Sequence, residues 1–166
     1  MPLLRCTQPL LRKMNVSPTG EPPVESTLGD WYAKLFRVSR RQCLIFMNER
    51  TLLSFTAHGI SLKPREVTKA FLTRLNYVLV EEGIPPATAL EICREYEFIK
   101  FSPTASRSLL GSLNDLARHY RIYVDMQGGL GHSKMSSITA KVNRTPQRTL
   151  GWEFPIGAAI GLLTQG

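Results

Sequence analysis

The hydrophobic pattern changes period twice along the chain, and the changes divide it into strands and helices. Residues 30–38 alternate, with Tyr32, Phe36 and Val38 on one side and Trp31, Ala33 and Leu35 on the other. That is the pattern of a strand covered on both faces. The runs QCLIFM (42–47) and TLLSFTA (51–57) flank Asn48-Glu49-Arg50, a short connection of hairpin type, so a small antiparallel meander is predicted. Leu3 to Thr7 suits a short strand, and Pro9 to Lys13 a helical turn with proline near its first position. After Lys63-Pro64 the period lengthens: Val67, Phe71, Leu75 and Val78 share one helix face, and Gly83-Ile84-Pro85-Pro86 ends the helix. A shorter helix follows from about Ala87 to Tyr96, then a strand in EFIKF (97–101), stopped by Ser102-Pro103. Ser106 is placed to cap a long helix carrying Leu109, Leu113, Leu116, Tyr120 and Tyr123 on one stripe, broken by Gly128-Gly129. A further helix begins near Ser133 with Met135, Ile138 and Val142 inward and stops between Asn143 and Pro146. The apolar PIGAAIGLLTQG (155–166) reads as a packed terminal helix.

The predicted class is α+β: a small antiparallel sheet, a meander with one or two added strands, packed against four or five helices. At 166 residues the chain is expected to be one domain, residues 1–166, with residues 15–26 as a Pro- and Ser-rich surface loop.

Charge adds a direction. Lys and Arg total 21 against 13 Asp and Glu, a net +8, and such an excess favours a polyanionic partner: nucleic acid, an acidic protein surface or anionic lipid. Cys6, Cys43 and Cys93 are odd in number and widely separated, and the chain has only three histidines. A disulfide framework or zinc site is therefore not expected, and neither a metal nor a cofactor is predicted. The expected setting is reducing and cytoplasmic. No stretch approaches the ~20 apolar residues that span a bilayer, so no membrane partner is predicted.

The helix predicted from Ser133 places Lys134, Ser137, Lys141 and Arg144 on one ridge, with Arg148 just beyond. Such a ridge can follow a phosphate backbone, each neutralised phosphate adding salt-dependent affinity. Arg37, Arg40 and Arg41 beside the hairpin, and Arg118 and Arg121 on the long helix, are further basic clusters. The bland reading of all of them is a solvated face. Trp31 and Trp152 can stack on bases, but such residues are more often core anchors with the indole N–H satisfied.

Enzyme readings find little support. Ser106, Ser108 and Ser112 with His119 or His132 form no recognisable nucleophile motif, and serines opening a helix serve as caps. Gly128-Gly129-Leu130-Gly131 lacks the Lys-Ser/Thr of a phosphate loop. NRTPQRTLGWEFP (143–155) is similar to the tails of transposase and integrase catalytic domains, but the helix leading into Asn143 has no glutamate to complete a two-metal carboxylate set. That stretch reads instead as a helix stop followed by a hook, with Leu150 and Trp152 inserted in the core and Pro155 opening the last helix.

RCTQPLL, LGDWYAKLFRVSRRQCLIFMNERTL, RSLLGSLNDLARHY and KVNRTPQRTLGWEFPI, in that order, resemble an uncharacterised bacterial family of small stand-alone proteins classed as a domain of unknown function. The family pattern is matched at Cys6-Thr7, Asp30, Trp31, Arg40-Arg41, Asn48, Ser108, Gly111, Asn114, Asn143 and Pro146. The resemblance implies a setting among plasmid and mobile-element or defence genes. The leading expectation is a non-catalytic protein that binds DNA or RNA backbone through Lys134, Lys141, Arg144 and Arg148, assisted by Arg40 and Arg41. A protein-interaction module or inhibitor with an acidic protein partner, as in toxin–antitoxin pairs, is the alternative, and a homodimer is compatible with either. A metal-dependent nuclease using Asp30 or Asp125 with glutamates of the acidic stretch Glu81, Glu82, Glu91, Glu95 and Glu97 is a third reading.

Overall fold

The alternating segment at the heart of the sequence becomes the middle of a mixed five-stranded sheet. The computed structural model describes residues 1–164; Gln165 and Gly166, the end of the predicted terminal helix, lie outside the described residues. The strands are β1 (Leu3–Cys6), β2 (Trp31–Val38), β3 (Arg41–Asn48), β4 (Ser54–His58) and β5 (Lys100–Pro103), in the spatial order β4-β3-β2-β1-β5. β2, β3 and β4 form the expected antiparallel meander, while β1 lies parallel to both β2 and β5. The helices are α1 (Gln8–Met14), α2 (Pro64–Glu81), α3 (Pro86–Arg94), α4 (Arg107–Met126), α5 (Met135–Val142) and α6 (Pro155–Leu163). The α+β expectation, a small sheet packed with helices, is met.

Because strand side chains alternate, the sheet has two apolar faces, and each is covered. One face carries Leu4, Trp31, Ala33, Phe46 and Phe55 and packs under Val67, Phe71 and Leu75 of α2, Ala89 and Ile92 of α3, and parts of α1 and α6. Trp31 stands edge-on to Phe71 and Tyr96 at ring-centroid separations of 5.2 and 6.4 Å, the offset arrangement aromatic quadrupoles favour. The other face carries Tyr32, Phe36, Ile45 and Met47 and packs under Leu113, Leu116, Tyr120 and Val124 of α4 and Ile138 and Val142 of α5. The helix stripes named from the sequence are thus the faces that meet the sheet.

Caps and turns explain the boundaries. The Ser106 hydroxyl accepts the Leu109 N–H at 3.2 Å, so the predicted cap is made. Gly128 and Gly129, with φ of 91° and 105°, end α4 in a conformation that side chains rarely adopt. Three details depart from the sequence reading. The β2–β3 turn is at Ser39-Arg40, both at positive φ without glycine or asparagine, so it carries no composition signal. β5 starts three residues later than EFIKF, ends two later and includes Pro103, which is tolerated because β5 is an edge strand. Trp152 is 65% exposed at φ 69°, so it does not insert into the core, and only Leu150 of the predicted hook packs, partly buried, against α4 and α5.

Candidate functional site

The polar positions matched by the family pattern fall into a structural set and an exposed set. Asp30 is buried, its carboxylate accepting the Leu3 N–H at 3.0 Å and facing the Arg5 guanidinium at 3.4 Å. Beside it, buried Asn48 donates to the carbonyls of Leu28 and Asp30, and its own oxygen accepts from Arg50, Thr51 and the Thr51 hydroxyl. These two residues tie the start of β1, the start of β2 and the β3–β4 connection together, replacing backbone partners the loop lacks. Trp31 is a core residue as expected, but its indole N–H finds no hydrogen-bond partner among the described residues. The nearby Tyr96 hydroxyl donates instead to the Gly29 carbonyl at 2.7 Å.

Asn143 does something different. Its carboxamide donates to the Ser54 carbonyl and accepts the Ser54 N–H, both at 2.9 Å. Ser54 opens β4, an edge strand, so one side chain from the end of α5 satisfies the outward backbone groups of that strand's first residue.

Beyond Asn143 a cleft of about 520 Å³ opens between α2 and α5, with Phe55 and Thr56 of β4 at its base. Arg74, Tyr77 and Glu81 of α2 and the adjoining Glu82 line one wall, Tyr123 of α4, Lys141 of α5 and Arg144 just beyond it the other. Arg144 forms a two-pronged ion pair with Glu82, with one nitrogen–oxygen distance of 2.8 Å, and the carboxylate raises the guanidinium pKa further. The Lys141 ammonium lies 5.8 Å from the centre of the Tyr123 ring, within cation–π range.

The exposed set lies on the opposite flank, along α4. Ser108, Gly111 and Asn114 are exposed at spacings of three, with Arg118 and Arg121 continuing the row. The Asn114 side chain accepts from Lys34 at 2.6 Å, and the Arg121 Nε donates to the Arg37 carbonyl at 3.0 Å. Burial, then the nearby Arg121, hold the Lys34 ammonium below its ordinary pKa. Arg37 in turn reaches the Arg40 carbonyl, so the β2–β3 turn and the end of α4 form one basic surface. Ser39 in that turn accepts the Leu130 N–H, which seats the turn against the loop that follows α4.

The six basic residues singled out from the sequence therefore divide. Arg40 and Arg41 belong to the β2–β3 turn beside Arg121 and Lys34, of which only Lys34 was not among the basic clusters read from the sequence. Lys134, exposed at the start of α5, is tied through its N–H to Gln127 at the end of α4 and so lies toward that surface. Lys141 and Arg144 line the cleft, and Arg148 is exposed on the short turn after α5. The contact that separates them, Arg37 to Arg121, joins positions remote in sequence and leaves no local signal.

Among the described residues no three His, Cys, Asp or Glu side chains converge as a metal site. Asp125 is exposed on α4. No described helix is long and apolar enough to cross a membrane, and the three cysteines are free and buried. A family model described as a domain of unknown function, DUF6933, matches residues 3–158. No curated protein matches the chain.

Proposed function

Since the chain belongs to the DUF6933 family, whose description leaves the activity open, we propose from its surface chemistry that it is a non-catalytic binding protein for the backbone of DNA or RNA. The observation that carries the reading is that Lys34 and Arg121 stand together beside α4, Lys34 bonding Asn114 and the Arg121 guanidinium the Arg37 carbonyl, next to the β2–β3 turn that carries Arg40 and Arg41. Lys34 has a depressed pKa because it is partly buried and faces Arg121. An anion bound there relieves that repulsion, so the surface is electrostatically prepared for phosphate. Gly111 also supports the reading. A side chain placed there would meet nothing in the fold, so no internal packing requires glycine in the middle of α4. A flat helix row beside a basic surface lets a phosphate backbone approach closely. A mobile-element or defence setting, implied by the family resemblance, would supply such a polyanion.

Binding of labelled duplex DNA and of RNA at low salt tests this. Affinity is expected to fall about a hundredfold between roughly 50 and 200 mM salt, as for about four neutralised phosphates. Reversing Arg37 and Arg121 to glutamate is expected to remove it. No binding to either nucleic acid at low salt, or binding indifferent to the double reversal, would refute the proposal.

A further inference from the structure

β4 is an edge strand with one outward rung occupied and the next rungs open. In an antiparallel pair, alternate residues turn their N–H and C=O toward the partner strand and away from it. The Asn48 N–H bonds the Leu53 carbonyl at 2.8 Å, which sets the phase: Phe55 and Ala57 bond β3, while Ser54, Thr56 and His58 point outward. Asn143 takes both groups of Ser54. Among the described residues nothing takes those of Thr56, although Thr56 is 95% buried by its exposure of 5%. A buried backbone amide and carbonyl without partners is unusual, and here both face the cleft.

We propose that this cleft binds an extended peptide carrying an acidic side chain, which adds to β4 as a sixth strand and pairs with Thr56 and His58. The Asn143 carboxamide already stands where the first peptide group of that strand belongs, so the edge accepts an amide in this geometry. The site is recessed between α2 and α5, which suits a single extended segment better than the edge of a second folded copy. Its charge selects the side chain. Arg144 is neutralised by Glu82, whereas Arg74 and Lys141 have no carboxylate within 4 Å among the described residues and outnumber the one further carboxylate of the lining, Glu81; burial, then Arg74 and Arg41, also lower the pKa of the adjacent His58. Tyr77 and Tyr123 supply apolar wall for the neighbouring peptide positions. Apart from Arg41, which neighbours both, the residues of this edge are not those of the proposed nucleic-acid surface, so the two proposals are tested separately.

The test is selection from a library of random ten-residue peptides on the wild-type protein, with counter-selection on Thr56→Pro. Proline at that position deletes an N–H that points away from β3, so it removes the outward rung and leaves the ladder intact. Enriched peptides are expected to alternate apolar residues with at least one Asp or Glu. They should lose about tenfold or more in affinity on Thr56→Pro and on Lys141→Glu, and should protect the Thr56 amide from hydrogen exchange. If Thr56→Pro does not fold, selected peptides N-methylated at alternate amides replace it, and those are expected not to bind. Failure to enrich any peptide, equal binding by N-methylated peptides, or protection of the Thr56 amide by concentration-dependent dimerisation alone would overturn the proposal.

Discussion

Arg144, just beyond α5, grips Glu82, which caps the end of α2, with two guanidinium nitrogens on two carboxylate oxygens. The pair closes one end of the β4 cleft and withdraws Arg144 from any external anion. Arg144→Ala is therefore expected to leave nucleic-acid affinity within about twofold, while Arg121→Ala lowers it severalfold. A double-mutant cycle over Glu82 and Arg144 should give a coupling of about 1 kcal/mol in urea denaturation, because Arg144 is half exposed even though Glu82 is nearly buried.

Asn143 offers a sharper stability test. Asn143→Ala leaves the Ser54 N–H and C=O buried and unpaired, and its expected cost is about 2–3 kcal/mol. Asn143→Asp keeps the acceptor and loses the donor, so its midpoint in urea should fall between those of the alanine variant and wild type near neutral pH.

Gly111 separates packing from recognition. It is helical with ordinary φ and open space around it, so Gly111→Ala is expected to stabilise the protein by up to about 1 kcal/mol. Gly111→Glu should remain folded, yet weaken nucleic-acid binding by placing bulk and negative charge on the row with Asn114 and Arg121. Equal affinity in Gly111→Glu and wild type would move the binding surface off α4. By contrast Gly29, at φ 80° with Arg50 and Glu49 atoms 2.8 Å from where a Cβ would stand, is expected to resist any substitution.

Stability should fall at both ends of the pH scale. Burial, then Arg74 and Arg41, hold the His58 imidazole below its ordinary 6.5 in the folded state. Its contribution is present above 6.5 and lost as pH falls through the depressed value, because the unfolded chain then binds the extra proton. Burial pushes the Tyr96 phenol from 10.0 up to about 12 and the Cys93 thiol from 9.0 up to about 11. Their contributions are present below the ordinary values and are lost as pH rises through the raised ones. Urea midpoints across this range should trace a dome whose acid limb is flattened by His58→Gln and whose alkaline limb is flattened by Tyr96→Phe.

Much of the fold was readable because its signals are local. The 3.6-residue stripes of α2 and α4, the Ser106 cap and the glycine stop after α4 each lie within a few residues of what they control. What escaped depends on contacts distant in the chain. The parallel seat of β1 rests on Leu3 facing Lys100 and Leu4 facing Trp31, and no periodicity encodes that. The turn at Ser39-Arg40 adopts positive φ because the flanking strands impose it. Trp152 looked like a core anchor by residue type, but a positive φ after Gly151 swings it outward. For the site, the helical ridge grouped Lys141 with Arg144, and both line the cleft, Arg144 from just beyond α5. It had no means of knowing that Glu82, on another helix, was waiting for one of them.

The seat of β1 also bears on how the chain acquires its shape. During synthesis residues 3–6 leave the ribosome well before residues 100–103, yet one flank of that strand is satisfied only when the later segment has emerged. Until then the meander of β2, β3 and β4 is complete on its own terms, while β1 holds a bare edge. The final zipping of β1 to β5 is a long-range closure, and such closures are slow relative to local hairpins. A nascent chain paused before residue 100 is thus expected to carry a formed hairpin core and an open, adhesive border, the state in which a chaperone would find it.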